Sequence, residues 1–125
     1  MKTATANKQF DIIIAKVEKD GVLASGLIDD LKALRTLALK EEDPLVVKVL
    51  RLTYEFLEDR KAFSVQGQFD EDEEGNEYPI EIEDQENLVY LLNLLLNAEH
   101  KINREEVKDY RSALKLELYL SLIHI

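Results

Sequence analysis

The chain has no cysteine in 125 residues, which excludes a disulfide framework, a thiolate zinc site and a cysteine nucleophile together. Its two prolines and four glycines are too few to punctuate the turns of a many-stranded sandwich or barrel, so helices are favoured. Long apolar runs are missing as well. The densest, Leu88 to Leu96, contains Asn93 and reaches about half of the roughly 20 residues that a bilayer crossing needs. Near the start, Ile12-Ile13-Ile14-Ala15 is too short for a signal sequence and is flanked by Asp11 and Lys16. No membrane partner is expected, and the expected address is the cytoplasm. There is no glycine-rich phosphate loop, and His100 is the one dependable histidine, so no relay to activate a serine is expected.

What is present suits one folded domain. Hydrophobic residues make up 46% and charged residues 34%, well away from the composition of disordered chains, and no linker or repeat divides residues 1–119. Phe10, Ile13, Ile14 and Val17 recur at the spacing of an amphipathic helix, predicted over 5–19 and stopped by Asp20-Gly21. Leu27, Leu31, Leu34 and Ala38 mark a second helix over 23–41. Asp43-Pro44 is a strong start for a third, because aspartate accepts from free first-turn amides and proline at the first position lacks one. From Leu45 to Leu57 its apolar residues cover most of the circumference, which places it centrally. A fourth helix, with Asp84 as N-cap, is apolar nearly all round through Leu88, Leu91, Leu92 and Leu95. Asn103-Arg104-Glu105-Glu106 is close to a capping box and starts a fifth helix at Arg104, predicted to about 117. Beyond Leu114 the period-two pattern Leu114, Leu116, Leu118 competes with helix.

Residues 63–83 differ from the rest. Phe63, Val65, Gly67 and Phe69 alternate with polar residues, as do Tyr78, Ile80 and Ile82, around a tip of Asp72-Glu73-Glu74-Gly75-Asn76. The fold class expected is therefore mainly α, a five-helix bundle with a β-hairpin inserted between helices 3 and 4. The hairpin region also holds the charge. Asp70, Glu71, Asp72, Glu73, Glu74, Glu77, Glu81, Glu83, Asp84 and Glu86 are ten acids in a stretch with no lysine or arginine; without them the other sixteen acids balance sixteen bases, so the formal charge of −10 is local. Such a patch attracts a basic partner and repels phosphate, so nucleic acid is not an expected partner. Acids in the first turn of helix 4 also have an ordinary role at the positive end of the helix dipole.

Two constellations resemble known metal-binding patterns. Asp70, Asp72, Glu74, Gly75 and Glu81 partly match an EF-hand calcium loop, but Glu77 and Pro79 occupy positions eight and ten and Gly67 stands where the entering helix belongs. Glu55 with Glu58, and Glu106 with Asp109, each put two acids on one helical face, which resembles the way all-α nucleotide pyrophosphohydrolases hold Mg²⁺. Acidic pairs at this spacing are also common on solvated helices of an acidic chain, and no cofactor or metal is expected. A di-iron bundle would need Glu-x-x-His pairs, and Asn97 precedes His100 by three.

The function expected is a protein-interaction or structural module without catalytic activity, touching a protein partner or a second copy of itself. One candidate surface is helix 4, through Tyr90, Asn93 and Asn97; the other is the acidic patch of Asp70, Asp72, Glu74, Glu77 and Glu81. The alternatives are a Mg²⁺-dependent pyrophosphohydrolase-like enzyme and an acidic mimic of nucleic acid. Helices 3 and 4 present more apolar surface than three amphipathic neighbours easily cover, so either a homodimer through helix 4 or the hairpin strands, through Phe63, Val65, Phe69 and Ile80, must supply the rest. Lastly, Leu120-Ser121-Leu122-Ile123-His124-Ile125 is encodable by CTG TCT CTT ATA CAC ATC, the end of a widely used transposon library adapter. Residues 120–125 are expected to be adapter read-through and carry no functional reading.

Overall fold

In the computed structural model, which describes the backbone of residues 1–123 and the side chains of residues 1–120, local chemistry sets the starts of the first three helices. Helix α1 (Ala4–Asp20) is capped by the Thr3 hydroxyl, which accepts from the Ala6 N–H at 3.2 Å, and it ends at Gly21, whose φ of 80° glycine adopts without a Cβ penalty. It buries the expected stripe together with Ala6, one turn earlier. Helix α2 (Leu27–Lys40) starts four residues later than the periodicity suggests, because Gly26 sits in the left-handed region and residues 22–26 are turns; its stripe of Leu27, Leu31, Leu34 and Ala38 is buried as expected. Helix α3 (Pro44–Arg60) begins as predicted, with the Asp43 carboxylate accepting from the Val46 N–H at 3.3 Å. Strands β1 (Phe69–Glu71) and β2 (Glu77–Pro79) form the antiparallel hairpin between α3 and α4. Helices α4 (Asp84–Leu96) and α5 (Lys101–Ile123) complete the chain.

The helices pack as a closed ring in the order α1, α2, α3, α5, α4 and back to α1. This replaces the expectation of α3 and α4 as two central helices with three covers: each packs mainly between two neighbours and keeps one polar face outward. One core is shared by all five, with Phe10, Leu31, Leu50, Phe56, Leu91 and Tyr110 fully buried in it. The missing cover comes from within the chain. Phe63 and Val65 are buried, Phe63 meeting Phe56 edge to face at 5.8 Å, whereas Phe69 and Ile80 stay partly exposed. Leu88, Leu91, Leu92, Leu94 and Leu95 are all buried, so beyond the acidic first turn a twofold contact through α4 would have Val89, Tyr90, Asn93 and Leu96 to offer.

Three boundaries differ from the sequence reading. Asp84 is the first helical residue of α4 and Glu83 holds the cap position, without a side-chain hydrogen bond. Helix α5 starts at Lys101 rather than Arg104, because the capping-box residues are engaged elsewhere: Arg104 grips Asp43 through two hydrogen bonds of 2.9 and 3.1 Å, and Asn103 donates to the Asn97 carbonyl at 3.0 Å. The helix also continues past 117 to Ile123, with Leu114 buried and Leu116 exposed, so the helical spacing prevails over the period of two. Of the stretch read as adapter, the side chains of residues 121–123 and the whole of His124 and Ile125 lie outside the described residues.

Candidate interaction surface

The hairpin is fixed at its root and free at its tip. At the root, residues 63–68 belong to no helix or strand and are tied by hydrogen bonds to α4 and α5, and although their alternation reads as a strand, pairing begins only at Phe69. The side chain of Asn87 takes the place of a strand partner. Its Nδ2 donates to the carbonyls of Phe63 at 3.0 Å and Val65 at 2.8 Å, while its Oδ1 accepts from the Tyr110 hydroxyl at 2.5 Å. That hydroxyl in turn accepts from Gln68 Nε2 at 2.9 Å. Burial raises the Tyr110 pKa further above the ordinary tyrosine value. Gly67 lies flat on the Tyr110 ring, where a Cβ would come within 2.5 Å of ring carbons.

Beyond Gln68 the arm leaves the body. All six residues of β1 and β2 are exposed, in the register Phe69 opposite Pro79, Asp70 opposite Tyr78 and Glu71 opposite Glu77. The last pair sets two acids side by side, a mildly destabilising arrangement. The turn is held by Asp72, whose Oδ1 accepts from the N–H groups of Glu74 and Asn76, both at 2.9 Å, while Gly75 takes a φ of 83°. Those bonds, led by the Asn76 N–H, keep the Asp72 carboxyl below the usual aspartate range. Asp72 is therefore a turn residue. Asp70, Glu74, Glu77 and Glu81 stand in solvent beside Phe69, Tyr78 and Ile80, each of which is more than a third exposed.

Residues 80–83 carry the arm back to α4, and depressions of about 470 and 300 Å³ flank this return. Ile82 lines both. The larger is floored by Ile82, Val89 and Tyr90 and rimmed by Glu18, Glu86 and Asn93, with Gln85 donating across it to the Glu18 carbonyl. No lysine or arginine lines either depression. Tyr90 is anchored from behind, its hydroxyl donating to Glu106 at 2.5 Å. Burial, and next the Glu106 carboxylate, push its pKa up to about 12, so at neutral pH the groove presents a neutral phenol with its proton committed.

The structure thus joins the two surfaces named from sequence: Tyr90 and Asn93 share a groove with Ile82, which leads directly into the acidic arm. Asn97 is not part of that groove. Asn93 and Asn97 are both exposed and hydrogen-bond one turn back, to Val89 at 2.9 Å and Asn93 at 3.1 Å, so their amides satisfy the helix locally. Asn87, which shares their helix, faces inward instead. The sequence reading missed the groove walls Glu18, Ile82 and Val89, because their convergence depends on how α1 meets α4.

The paired acids of the enzyme alternative take separate partners. Glu55 faces Arg51 of its own helix at 3.8 Å, Glu58 faces Lys32 of α2 at 3.7 Å, and Glu106 accepts from Tyr90. Among the described residues no three histidine, aspartate or glutamate side chains converge as a metal site, the EF-hand-like acids of the arm included. Among the same residues no helix is long and apolar enough to cross a membrane. Comparisons with protein-family models, with curated proteins and with solved structures found no match.

Proposed function

We propose that this chain is a protein-interaction module without catalytic activity, in which the acidic arm and the α4 groove at its root together hold a basic, amphipathic segment of a partner protein. One observation carries the reading: Phe69, Tyr78 and Ile80 are exposed among ten acids that no lysine or arginine offsets, and this surface runs through Ile82 into an apolar groove with an acidic rim. Exposed apolar side chains supply contact area, and the surrounding field draws in cations and discourages acidic competitors. Nucleic acid is repelled by the same field. A cytoplasmic address belongs to the proposal, and cell fractionation checks it.

The test uses a synthetic lysine- and leucine-rich helical peptide and its glutamate-for-lysine counterpart. Binding of the basic peptide by calorimetry, weakening as salt rises, with backbone amide shifts confined to 69–93 and the α1 turn around Glu18, is the expected result. Val89→Ser and Tyr78→Ser should each weaken it by about tenfold, the equivalent of about 1.4 kcal/mol. Equal binding of both peptides, or shifts elsewhere on the chain, would overturn the reading. Mg²⁺-dependent release of pyrophosphate from nucleotides, abolished by Glu55→Gln, would instead establish an enzyme.

A further inference from the structure

Between α2 and α3 lies a third depression, of about 270 Å³, whose character is the inverse of the arm's. Its floor is apolar, formed by Leu39, half exposed on α2, with Pro44 and Val47 of α3; its rim carries Arg35, Lys48 and Arg51. Asp43 at one end is already neutralised by Arg104, leaving Glu42 as the acid there that faces solvent. Among the described residues neither Arg35 nor Lys48 has an acidic partner, and Arg35 Nε is buried without a hydrogen bond. Arg51 only shares Glu55 in an exposed pair at 3.8 Å, an interaction worth little in water. The volume suits one or two side chains rather than a drug-sized ligand.

The occupant that fits is an acidic segment offering a protruding apolar side chain, and this protein displays one. We propose that the acidic arm of one copy docks in the α2–α3 depression of a second copy, with an apolar arm residue over Leu39, Pro44 and Val47 and the arm's carboxylates against Arg35, Lys48 and Arg51. The inference rests on reading the arm as a contact surface and names a second copy as a partner. The arm and the depression are different patches. Two copies can therefore exchange arms reciprocally in a closed pair, residue i meeting j and j meeting i. Each copy carries a net charge of −10, which opposes approach at long range, but at about 0.1 M salt the screening length is about 10 Å and the contact pairs outlast that repulsion.

Sedimentation velocity at about 0.1 M salt, over micromolar to millimolar concentrations, tests the idea with two variants of the full chain. The first reverses the depression (Lys48→Glu with Arg51→Glu) and the second reverses the arm (Glu73→Lys, Glu74→Lys and Glu77→Lys); circular dichroism verifies that both fold. The wild-type mass should rise toward that of two chains. Each variant alone should raise the dissociation constant by about tenfold or more, and their equimolar mixture should recover the pair, since acid then faces base in both contacts. A wild-type mass of one chain throughout, an association indifferent to both variants, or a mixture that fails to recover it would overturn the proposal. Wild type that stays a single chain yet binds the basic peptide would remove the second copy and leave the arm reading standing. Absence of both would remove the two together.

Discussion

Asn87 has both ends of its amide in use inside a leucine-rich helix, and so differs from Asn93 and Asn97 of the same helix, which face solvent. Six residues along a helix of 3.6 per turn is not a return to the same face, so spacing alone separates Asn87 from Asn93. Its partners, the carbonyls of Phe63 and Val65, cannot be read from spacing at all. Replacing it with leucine of similar bulk would leave those two buried acceptors and the Tyr110 hydroxyl short of partners, and should cost about 3 kcal/mol in urea unfolding. Tyr110→Phe removes two hydrogen bonds, one to Asn87 and one from the partly exposed Gln68, and should cost about 1–2 kcal/mol. Gly67→Ala should cost about 1–3 kcal/mol by overpacking, because its new methyl meets a ring fixed on both sides; an unchanged unfolding midpoint would show that the ring can yield. Tyr90 offers a pH-dependent test. Its pKa is raised in the fold, so its contribution to stability is fully present below the ordinary tyrosine value of 10.0 and is lost as pH rises through about 12. Glu106→Gln should move that ionisation, followed by tyrosinate absorbance, to lower pH and weaken the dependence of stability on alkaline pH.

Among the elements, those set by local chemistry were legible and those set by distant partners were not. The stripes of α1 and α2, the Asp43-Pro44 start of α3 and the acidic turn all rest on residues a few positions apart, where spacing and capping decide. The start of α5 escaped because Arg104 is claimed by Asp43 from 61 positions away, a contact created only by folding. The strand expected over 63–69 is mostly unpaired, because alternation reports which side chains turn inward and not what the backbone bonds to. Half of the candidate surface, the run of acids, was visible; the groove needed the packing of α1 on α4. Since residues 70–77 are exposed and, among the described residues, hydrogen-bond only within the arm and its immediate return, replacing them with a short Asn-Gly turn should leave helicity by circular dichroism and the melting transition nearly unchanged. A large loss of cooperative melting would show that the arm is part of the core after all.

Over the whole molecule, closure of the helix ring means that no helix can leave without opening the core to water. Phe10 is fully buried in α1, the helix that closes the ring between α2 and α4. Phe10→Ala should cost about 3–5 kcal/mol while unfolding stays a single transition, as for most domains of this size. Two transitions in calorimetry would reveal a ring that opens in stages. Hydrogen exchange should show the same division, with the amides of 69–79 exchanging early and those of α4 and α5 protected together.

The arm's anchorage also makes this chain a display scaffold. Residues 63–68 are held by Asn87 and Tyr110, and residues 80–83 enter α4 a short step later, so the ends of the arm stay in place whatever lies between them. Lengthening a loop whose ends are already fixed costs little, about 0.6 kcal/mol for each doubling. Foreign recognition sequences could therefore be grafted between Gln68 and Ile80 with their ends pinned by the helices, and what the protein binds could be rewritten without repacking a single core residue.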